Sequence, residues 1–243
     1  MEQTYTVLRP GMFANLSTDL EQYPGGIVIP LDKPYRWTSA DAVRKIKFKL
    51  QRHFGRRNLK VGHAGTLDPL ATGLLLICIG KATKQAQFLQ NQTKEYIAEI
   101  KFGATTPSYD LEKEIDAEYP WEHITRESIE AVLPKFLGEQ DQIPPIFSAK
   151  LVDGVRAYEY ARQGEEVEMK PARITLHELE ILDYQAPILT LRIRCSKGTY
   201  IRSIARDLGI ALQSGGHLTN LQRTVSGETR LQHAVSMEEI LNS

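Results

Sequence analysis

Residues 60–75 read KVGHAGTLDPLATGLL, a stretch that holds one histidine, His63, and one acid, Asp68, followed by proline. Its glycines are Gly62, Gly65 and Gly73. Glycine tolerates positive φ and lets a ligand approach the backbone, so this loop can fold tightly around a bound molecule. Pro69 favours an extended backbone at Asp68, which presents the carboxylate. The same features fit an ordinary turn in which Asp68 caps a helix or forms an Asx turn. The loop by itself leaves both interpretations open.

Strands and helices are predicted on both sides of this loop. Thr38 and Asp41 have the spacing of a capping box, which predicts the start of a helix. Alternating or continuous apolar runs predict strands over 27–31, 74–80, 95–103 and 188–195. Apolar residues spaced by 3.6 positions predict helices over 81–89, 125–138, 156–162 and from about Thr199 onward, with a break near Pro134 in the second. Residues 1–24 are weakly patterned and predict a loosely held arm. The irregular mixture of strands and helices predicts an α+β fold around one substantial sheet.

The charges of the chain are unevenly distributed along the sequence. The formal net charge is zero, but residues 44–60 contain eight basic residues and no acid, and residues 110–141 contain ten acids and three bases. A basic face and an acidic face are therefore expected on the same molecule. The basic run fits a solvated helix face. Because Phe48, His53 and Phe54 are interleaved with it, it also fits an RNA-binding surface.

Composition and motif searches exclude several classes of protein. The 243 residues, 42% of them hydrophobic and 25% charged, are typical of a globular protein of one large or two small domains. Cys78 and Cys195 lie in apolar runs, and no CxxC or HxxxH spacing occurs, so neither a disulfide nor a metal site is predicted. The longest aliphatic run, 74–79, is far shorter than the ~20 residues of a membrane span, and no signal pattern opens the chain. These features predict a cytoplasmic protein. Neither a P-loop nor a dinucleotide-binding motif is present.

Five fragments occur in the order found in the bacterial tRNA pseudouridine synthases of the TruB family. They are GGIVIPLDKPYRWTSADAV (25–43), VGHAGTLDPLATGLLLICIGKATK (61–84), KEYIAEIKFGATT (94–106), IPPIFSAKLVDGVRAYEYARQGEEV (143–167) and CSKGTYIRSIARDLG (195–209). The resemblance spans about residues 25–227. It implies the pseudouridine synthase fold, a large mixed and mainly antiparallel sheet flanked by helices. The implied domains are an N-terminal arm (1–24) and a catalytic domain (25–243) with a thumb-like RNA-binding insertion at about 143–172. Many members continue into a C-terminal PUA domain, which is not expected here.

The resemblance implies an isomerase that converts uridine 55 in the T-loop of tRNA to pseudouridine. The reaction breaks the bond from N1 to C1′, turns the uracil and joins C5 to C1′, and it requires no cofactor and no metal. The implied partner is the T-stem-loop of tRNA, with no membrane partner, and a monomer is expected. Two alternatives stay open: a tRNA-folding chaperone without turnover, and a synthase that depends on a guide RNA.

The resemblance also assigns catalytic roles. Asp68 matches the family's catalytic aspartate, as a nucleophile or as a base on the sugar. Arg202 matches its arginine partner, and Asp110 matches a second acid on that arginine, although GATTPSYD (103–110) lacks the arginine often found ahead of the family's RTDTxD pattern. Tyr96 matches the tyrosine that stacks on the uracil. Without the resemblance, Tyr96 fits a core position of a strand.

Further residues match the parts of the family that bind RNA. His63 matches the histidine that enters the RNA and supports the flipped-out nucleotide, whereas by itself it fits a structural hydrogen bond. Pocket residues are matched by Tyr200, Ile204 and Leu221, each of which otherwise fits the core. Candidate phosphate contacts are Lys84 and the basic run 44–60, and the thumb contributes Lys150, Arg156, Tyr158 and Arg162.

Overall fold

The computed structural model describes residues 5–148, 150–165 and 167–242. Residues 1–4 of the predicted arm and residues 149 and 166 of the predicted thumb lie outside the described residues. The strands are β1 (Thr6–Val7), β2 (Ile27–Lys33), β3 (Val61–His63), β4 (Thr72–Ile79), β5 (Lys94–Phe102), β6 (Ala104–Thr105), β7 (Ala117–Glu118), β8 (Gly138–Gln142), β9 (Leu151–Val152), β10 (Val155–Arg156), β11 (Ala172–Gln185), β12 (Ile188–Cys195), β13 (Gly216–Ser226), β14 (Thr229–Arg230) and β15 (Val235–Ser236).

The helices are α1 (Ser39–His53), α2 (Ala86–Gln90), α3 (Arg126–Val132), α4 (Ala157–Gln163), α5 (Ile201–Ala211) and α6 (Met237–Asn242). Short 3-10 turns span Phe13–Asn15, Leu20–Gln22, Gly80–Gln85, Leu133–Phe136 and Leu231–His233. The chain forms two compact units, one made of Met1–Glu95 with Gln222–Ser243 and the other of Tyr96–Leu221. The boundaries between the units fall within β5 and β13.

The first unit is built on β4, which pairs with several strands. Its sheet has the order β1-β2-β4-β13, and β3, β14 and β15 pair with β4, β13 and β2, respectively. The β2–β4 pair is antiparallel and runs from Ile27 opposite Ile79 to Lys33 opposite Gly73. The apolar side chains of β4 are buried from Leu74 onward, as the continuous apolar run predicts. The loop that carries Asp68 thus connects β3 with the central strand of this unit.

Helix α1 begins as the sequence predicts. The side-chain oxygen of Thr38 accepts a hydrogen bond from the backbone N–H of Asp41, and the Asp41 carboxylate accepts one from the backbone N–H of Thr38. This capping box satisfies backbone donors that a helix start leaves open. Ala42, Ile46 and Leu50 face the core, so α1 turns its basic residues outward.

The described part of residues 1–24 is packed, which corrects the expectation of a loosely held arm. β1 pairs in parallel with β2, and Leu8, Phe13 and Leu16 are buried. These three apolar residues follow neither a helical nor a strand period, so periodicity gives no sign of their packing.

The second unit contains the longest strand, β11. Its sheet has the order β13-β5-β12-β11-β8, and β6–β7 and β9–β10 form separate two-stranded pairs. β11 is antiparallel to both β12 and β8. None of β8, β11 and β13 is predicted from the sequence. For β11 the reason is physical, because register shifts after Leu176 and after Ile181 break the alternation of buried and exposed side chains.

The structure confirms the α+β class and the mixed sheet with flanking helices. The predicted strands correspond to β2, β4, β5 and β12, and most predicted helices are present. The helix predicted over 81–89 is a 3-10 turn, Gly80–Gln85, followed by the single turn of α2. None of the helices in the described residues is long and apolar enough to cross a membrane.

Candidate active site

Asp68 begins a β-turn in the loop between β3 and β4. The backbone N–H of Ala71 donates to the carbonyl of Asp68 at 3.1 Å, and Pro69 occupies the second position, where its fixed φ is favoured. The interpretation of this stretch as a turn is therefore right for the backbone. The carbonyl of Asp68 accepts the hydrogen bond that closes the turn.

The three glycines of the loop differ in whether their backbone conformation requires glycine. Gly65 and Gly73 have φ values of +101° and +92°, in the region that side chains rarely adopt. Gly62 was expected to use the same freedom, but it lies in β3 without a positive φ. At Gly73 a Cβ atom would lie 2.4 Å from the carbonyl oxygen of Arg223, because β4 and β13 pair closely at this point. A side chain at position 73 would force these strands apart.

Arg223 holds both ends of the Asp68 loop. This side chain is buried and donates from Nε to the carbonyl of Leu74 at 2.7 Å, and from its terminal nitrogens to the carbonyls of Gly65 at 3.0 Å and Thr66 at 3.5 Å. One rigid, planar group with five donors thus joins the residues before and after Asp68. The sequence gives no local sign of this role of Arg223, because the residue lies in a strand that periodicity does not predict.

Lys33 and Ser39 hold the middle of the same loop. The Lys33 ammonium is fully buried and donates to the carbonyls of Pro69 at 3.3 Å and Trp37 at 2.6 Å. The Ser39 hydroxyl donates to the carbonyl of Leu67 at 3.0 Å and accepts from its N–H at 2.9 Å. The residues on either side of Asp68 are thereby attached to β2 and to the first turn of α1.

Burial also changes the charge balance around this loop. It lowers the pKa of Lys33 to about 8, against the opposing effect of the nearby Asp68 carboxylate. The pKa of His63 is lowered as well, first by burial and then by the positive charge of Arg223. His63 is therefore neutral at pH 7. Its Nδ1 atom is buried and has no hydrogen-bond partner among the described residues.

Basic residues of α1 and of the segment after it line a groove in the first unit. Its volume is about 490 Å³, and its walls include Lys47, Arg57 and Lys60, together with Thr83 of the 3-10 turn. Lys84, from the same 3-10 turn, is exposed. This concentration of exposed cations fits the contact with phosphates that the resemblance implies.

In the second unit, the structure pairs Arg202 of α5 with Asp110. Arg202 Nε lies 3.7 Å from Asp110 Oδ2, and both side chains are buried. Arg202 also donates to the carbonyls of Ser108 at 3.2 Å and Phe147 at 2.9 Å. The resemblance implies that Asp110 pairs with Arg202. The distance between the two side chains fits that assignment, although the motif GATTPSYD differs from the family pattern.

The remaining pocket candidates lie on β5, α5 and β13 of this unit. Tyr96, Ile204 and Leu221 are buried, and Tyr200 occupies the position just before α5 without a side-chain cap. The side chain of Gln142 accepts from the N–H of Tyr200 at 2.8 Å and donates to its carbonyl at 3.1 Å. The sequence gives no sign of this role of Gln142, since a polar residue at the end of a strand has no distinctive pattern.

The predicted thumb contains a hairpin and a helix. β9 and β10 are joined by Asp153 and Gly154 with φ of 50° and 84°, which are the positive values of a type I′ turn. An Asp-Gly pair between two short strands is a typical sequence signal of such a hairpin. Lys150 donates to the carbonyl of Lys170 at 2.6 Å, and Arg156 and Arg162 are exposed, with Arg162 over the ring of Tyr158 at 5.0 Å.

The structure thus places the sequence-predicted residues in two groups, each within one unit. The first unit holds His63, Asp68, Lys84 and the basic run, and the second holds Tyr96, Asp110, Lys150, Arg156, Arg162, Tyr200, Arg202, Ile204 and Leu221. The first group combines a carboxylate, whose neighbouring backbone groups are held by hydrogen bonds, with exposed basic residues of the same unit. The second offers a buried arginine–carboxylate pair, aromatic rings and apolar side chains suited to a nucleobase.

Comparison with known proteins identifies the family. Residues 51–201 match the TruB family pseudouridylate synthase (N terminal domain), and residues 202–243 match the tRNA pseudouridylate synthase B C-terminal domain. This chain belongs to the TruB family. It is accordingly a pseudouridine synthase, an isomerase.

Similar proteins extend this result along most of the chain. The tRNA pseudouridine synthase B of Phocaeicola vulgatus is 56% identical over 213 residues, covering 88% of this chain and 91% of the relative. That of Parabacteroides distasonis is 56% identical over 215 residues, covering 88% and 92%, respectively. Among solved structures, a Cbf5-Nop10-Gar1 complex contains a chain with a TM-score of 0.66 and 29% identity. The match covers 88% of this TruB family member and 53% of that chain, so this chain spans about half of its length.

Proposed function

We propose that this chain converts uridine 55 in the T-loop of tRNA to pseudouridine. The relatives that match it over most of their length are named tRNA pseudouridine synthase B, which supports tRNA as the substrate. The observation that carries the proposal is the Asp68 turn, a carboxylate whose flanking residues are held by Lys33, Ser39 and Arg223. A catalytic carboxylate must be positioned against one atom of the sugar. Hydrogen bonds that fix its loop reduce the reorganisation that this positioning requires.

The reaction begins with extrusion of the nucleotide from the folded T-loop, because a stacked base does not expose its sugar to a side chain. Asp68 then acts on the sugar, by attack on C1′ or by removal of a proton, and the bond from C1′ to N1 breaks. The uracil turns and C5 bonds to C1′, while Asp68 is displaced from C1′ or, on the other route, returns the sugar proton that it removed. The C5 proton is then lost and N1 gains one. The atoms of the product equal those of the substrate.

The other candidates supply positioning and recognition in this proposal. Tyr96 stacks on the uracil, and Tyr200, Ile204 and Leu221 shape its pocket. Arg202, held by Asp110 in the second unit, takes the role that the resemblance gives to the arginine of the GTYIR motif. His63, neutral at pH 7, enters the space vacated by the extruded nucleotide. It meets the RNA without adding a charge.

Basic side chains of both units supply the contacts with phosphate. Lys84, the basic run 44–60 and the thumb residues Lys150, Arg156 and Arg162 contact phosphates of the tRNA, an RNA that proteins recognise largely by shape. In this proposal the enzyme works as a monomer. It acts in the cytoplasm, where its substrate matures.

The test is incubation of an unmodified tRNA transcript with the wild type, with Asp68→Asn and with Asp183→Asn, followed by mapping of pseudouridine. Asp183 is an exposed acid of β11 and serves as the matched control. We expect product at position 55 with the wild type and the control, and no product with Asp68→Asn, because the amide is neither a nucleophile nor a base.

Each alternative predicts a different result in the same assay. A wild type that binds tRNA and forms no pseudouridine supports a folding chaperone. A wild type that acts only after addition of a guide RNA supports a guide-dependent synthase. Product from Asp68→Asn at the wild-type rate contradicts the assigned role of Asp68.

A further inference from the structure

A second groove lies in the first unit, between the turn at residues 34–37 and the outer face of α1. Its volume is about 520 Å³, and it is lined by Arg36, Trp37, Asp41, Arg44, Lys45 and Phe48. We call it the α1 groove. None of these lining residues belongs to the loop of residues 60–75.

Aromatic rings beside the α1 groove are exposed and accompanied by arginines. Phe48 is 57% exposed and Tyr35 is 50% exposed. The guanidinium carbon of Arg52 lies 4.7 Å from the centroid of the Phe48 ring, and that of Arg36 lies 5.5 Å from the Tyr35 ring. An exposed aromatic ring flanked by guanidinium groups presents the surfaces on which an unpaired nucleobase stacks.

The charge of the α1 groove favours an anionic occupant. Among the described residues that line it, Arg36, Arg44 and Lys45 are basic, and Asp41 is acidic. The Asp41 carboxylate is already engaged, since it accepts hydrogen bonds from Thr38 in the capping box and from Arg44. The remaining positive charge complements the phosphates of a nucleic acid.

One buried side chain connects the α1 groove to the Asp68 turn. The Lys33 ammonium donates to the carbonyl of Trp37, in the wall of the groove, and to the carbonyl of Pro69, next to Asp68. The cationic surface then continues along α1, whose 15 residues extend about 22 Å. When an RNA places a nucleotide at Asp68, other nucleotides of the same RNA can contact the basic residues along α1.

We propose that the α1 groove binds an unpaired nucleotide of the tRNA that lies outside the reacting stem-loop. The base stacks against Phe48 and Trp37, and the adjoining phosphates contact Arg36, Arg44 and Lys45. The inference rests on the proposed function for its choice of RNA. It adds a site that distinguishes a complete tRNA from an isolated T-stem-loop.

The test measures dissociation constants for an unmodified full-length tRNA and for the isolated T-stem-loop, with the wild type, Phe48→Ala and Lys45→Gln. Loss of a base stack predicts that Phe48→Ala weakens binding of full-length tRNA about tenfold, whereas binding of the stem-loop changes less than about twofold. Lys45→Gln weakens binding of full-length tRNA less and reduces its dependence on salt. The matched controls are Ile210→Ala and Lys135→Gln, which remove an exposed apolar side chain and an exposed cation in the second unit.

Tryptophan fluorescence gives an independent measurement. The chain has two tryptophans, Trp37 and Trp121, so Trp121→Phe leaves Trp37 as the sole reporter. We expect full-length tRNA to quench this emission more than the stem-loop does. Circular dichroism of Phe48→Ala, whose side chain is mostly exposed, checks that its fold is kept.

Two outcomes overturn the proposal: an unchanged dissociation constant of Phe48→Ala for full-length tRNA, and equal losses of affinity for both RNAs. Failure of the proposed function is recognised separately. It appears as absence of pseudouridine when the wild type is incubated with the stem-loop, whatever the α1 groove binds.

Discussion

Asp68 is held by side chains that are distant in the sequence. Arg223, Lys33 and Ser39 are buried, and each hydrogen bonds to backbone groups of residues 65–74. Buried donors are costly when they lack acceptors, so these contacts favour one arrangement of the loop. The glycines that let the loop bend do not by themselves select that arrangement. The buried donors do.

The lowered pKa of Lys33 predicts a pH dependence of stability. Burial lowers this pKa from 10.5 to about 8 in the folded chain. Between these values the unfolded chain binds more protons than the folded chain, so protonation of Lys33 opposes folding and its effect diminishes as pH rises. We expect the free energy of unfolding of the wild type, relative to Lys33→Met, to be constant below pH 8. It then rises toward pH 10.5, by at most about 1.4 kcal/mol per pH unit.

Urea unfolding at pH 7, 8, 9 and 10 measures this difference. Lys101→Met, which removes an exposed lysine of β5, is the control and is expected to differ from the wild type by the same amount at every pH. A wild-type advantage over Lys33→Met that stays constant from pH 7 to pH 10 would contradict the pKa assigned to Lys33.

At the scale of elements, the pairing of β4 with β13 determines where the Asp68 loop ends. Gly73 of β4 lies opposite Arg223 of β13, whose side chain turns back to the loop carbonyls. The backbone of Arg223 thus limits the spacing between β4 and β13, and its guanidinium holds the Asp68 loop.

Replacement of Gly73 by alanine tests this arrangement. Its positive φ and the 2.4 Å approach of a Cβ atom to the Arg223 carbonyl predict a loss of more than about 2 kcal/mol in the free energy of unfolding. Gly62→Ala is the matched control, because a Cβ atom at Gly62 has nothing within 4 Å. We expect this control to stay within about 1 kcal/mol of the wild type in urea unfolding. Equal losses in the two variants would refute the explanation.

At the scale of the whole molecule, the opposite charges of the chain belong to different units. The basic run 44–60 lies in the first unit, and the acid-rich residues 110–141 lie in the second. A net charge of zero therefore does not describe the surface that RNA meets. Phosphates respond to the local concentration of cations, since counterions are released where the contacts form.

Salt dependence of tRNA binding follows from this segregation. We expect the logarithm of the association constant to fall steeply and linearly with the logarithm of salt concentration. The double variant Arg57→Gln, Lys60→Gln removes two cations of the first groove and lowers the slope by about 2. Filter binding between 50 and 300 mM salt measures it. Lys135→Gln, within the acid-rich segment, is expected to leave the slope unchanged, and a flat response of the wild type argues against a basic RNA-binding surface.

Local sequence signals determined the elements whose pattern is complete within a few residues. The capping box of Thr38 and Asp41 and the apolar runs of β4 and β12 are such signals, and they suffice because a cap and a buried face are properties of neighbouring residues. The motif around Asp68 likewise identified the family. Tertiary structure decided the rest. Arg223, Lys33 and Gln142 gain their partners only when distant segments meet, and the register shifts of β11 remove the alternation that would mark a strand.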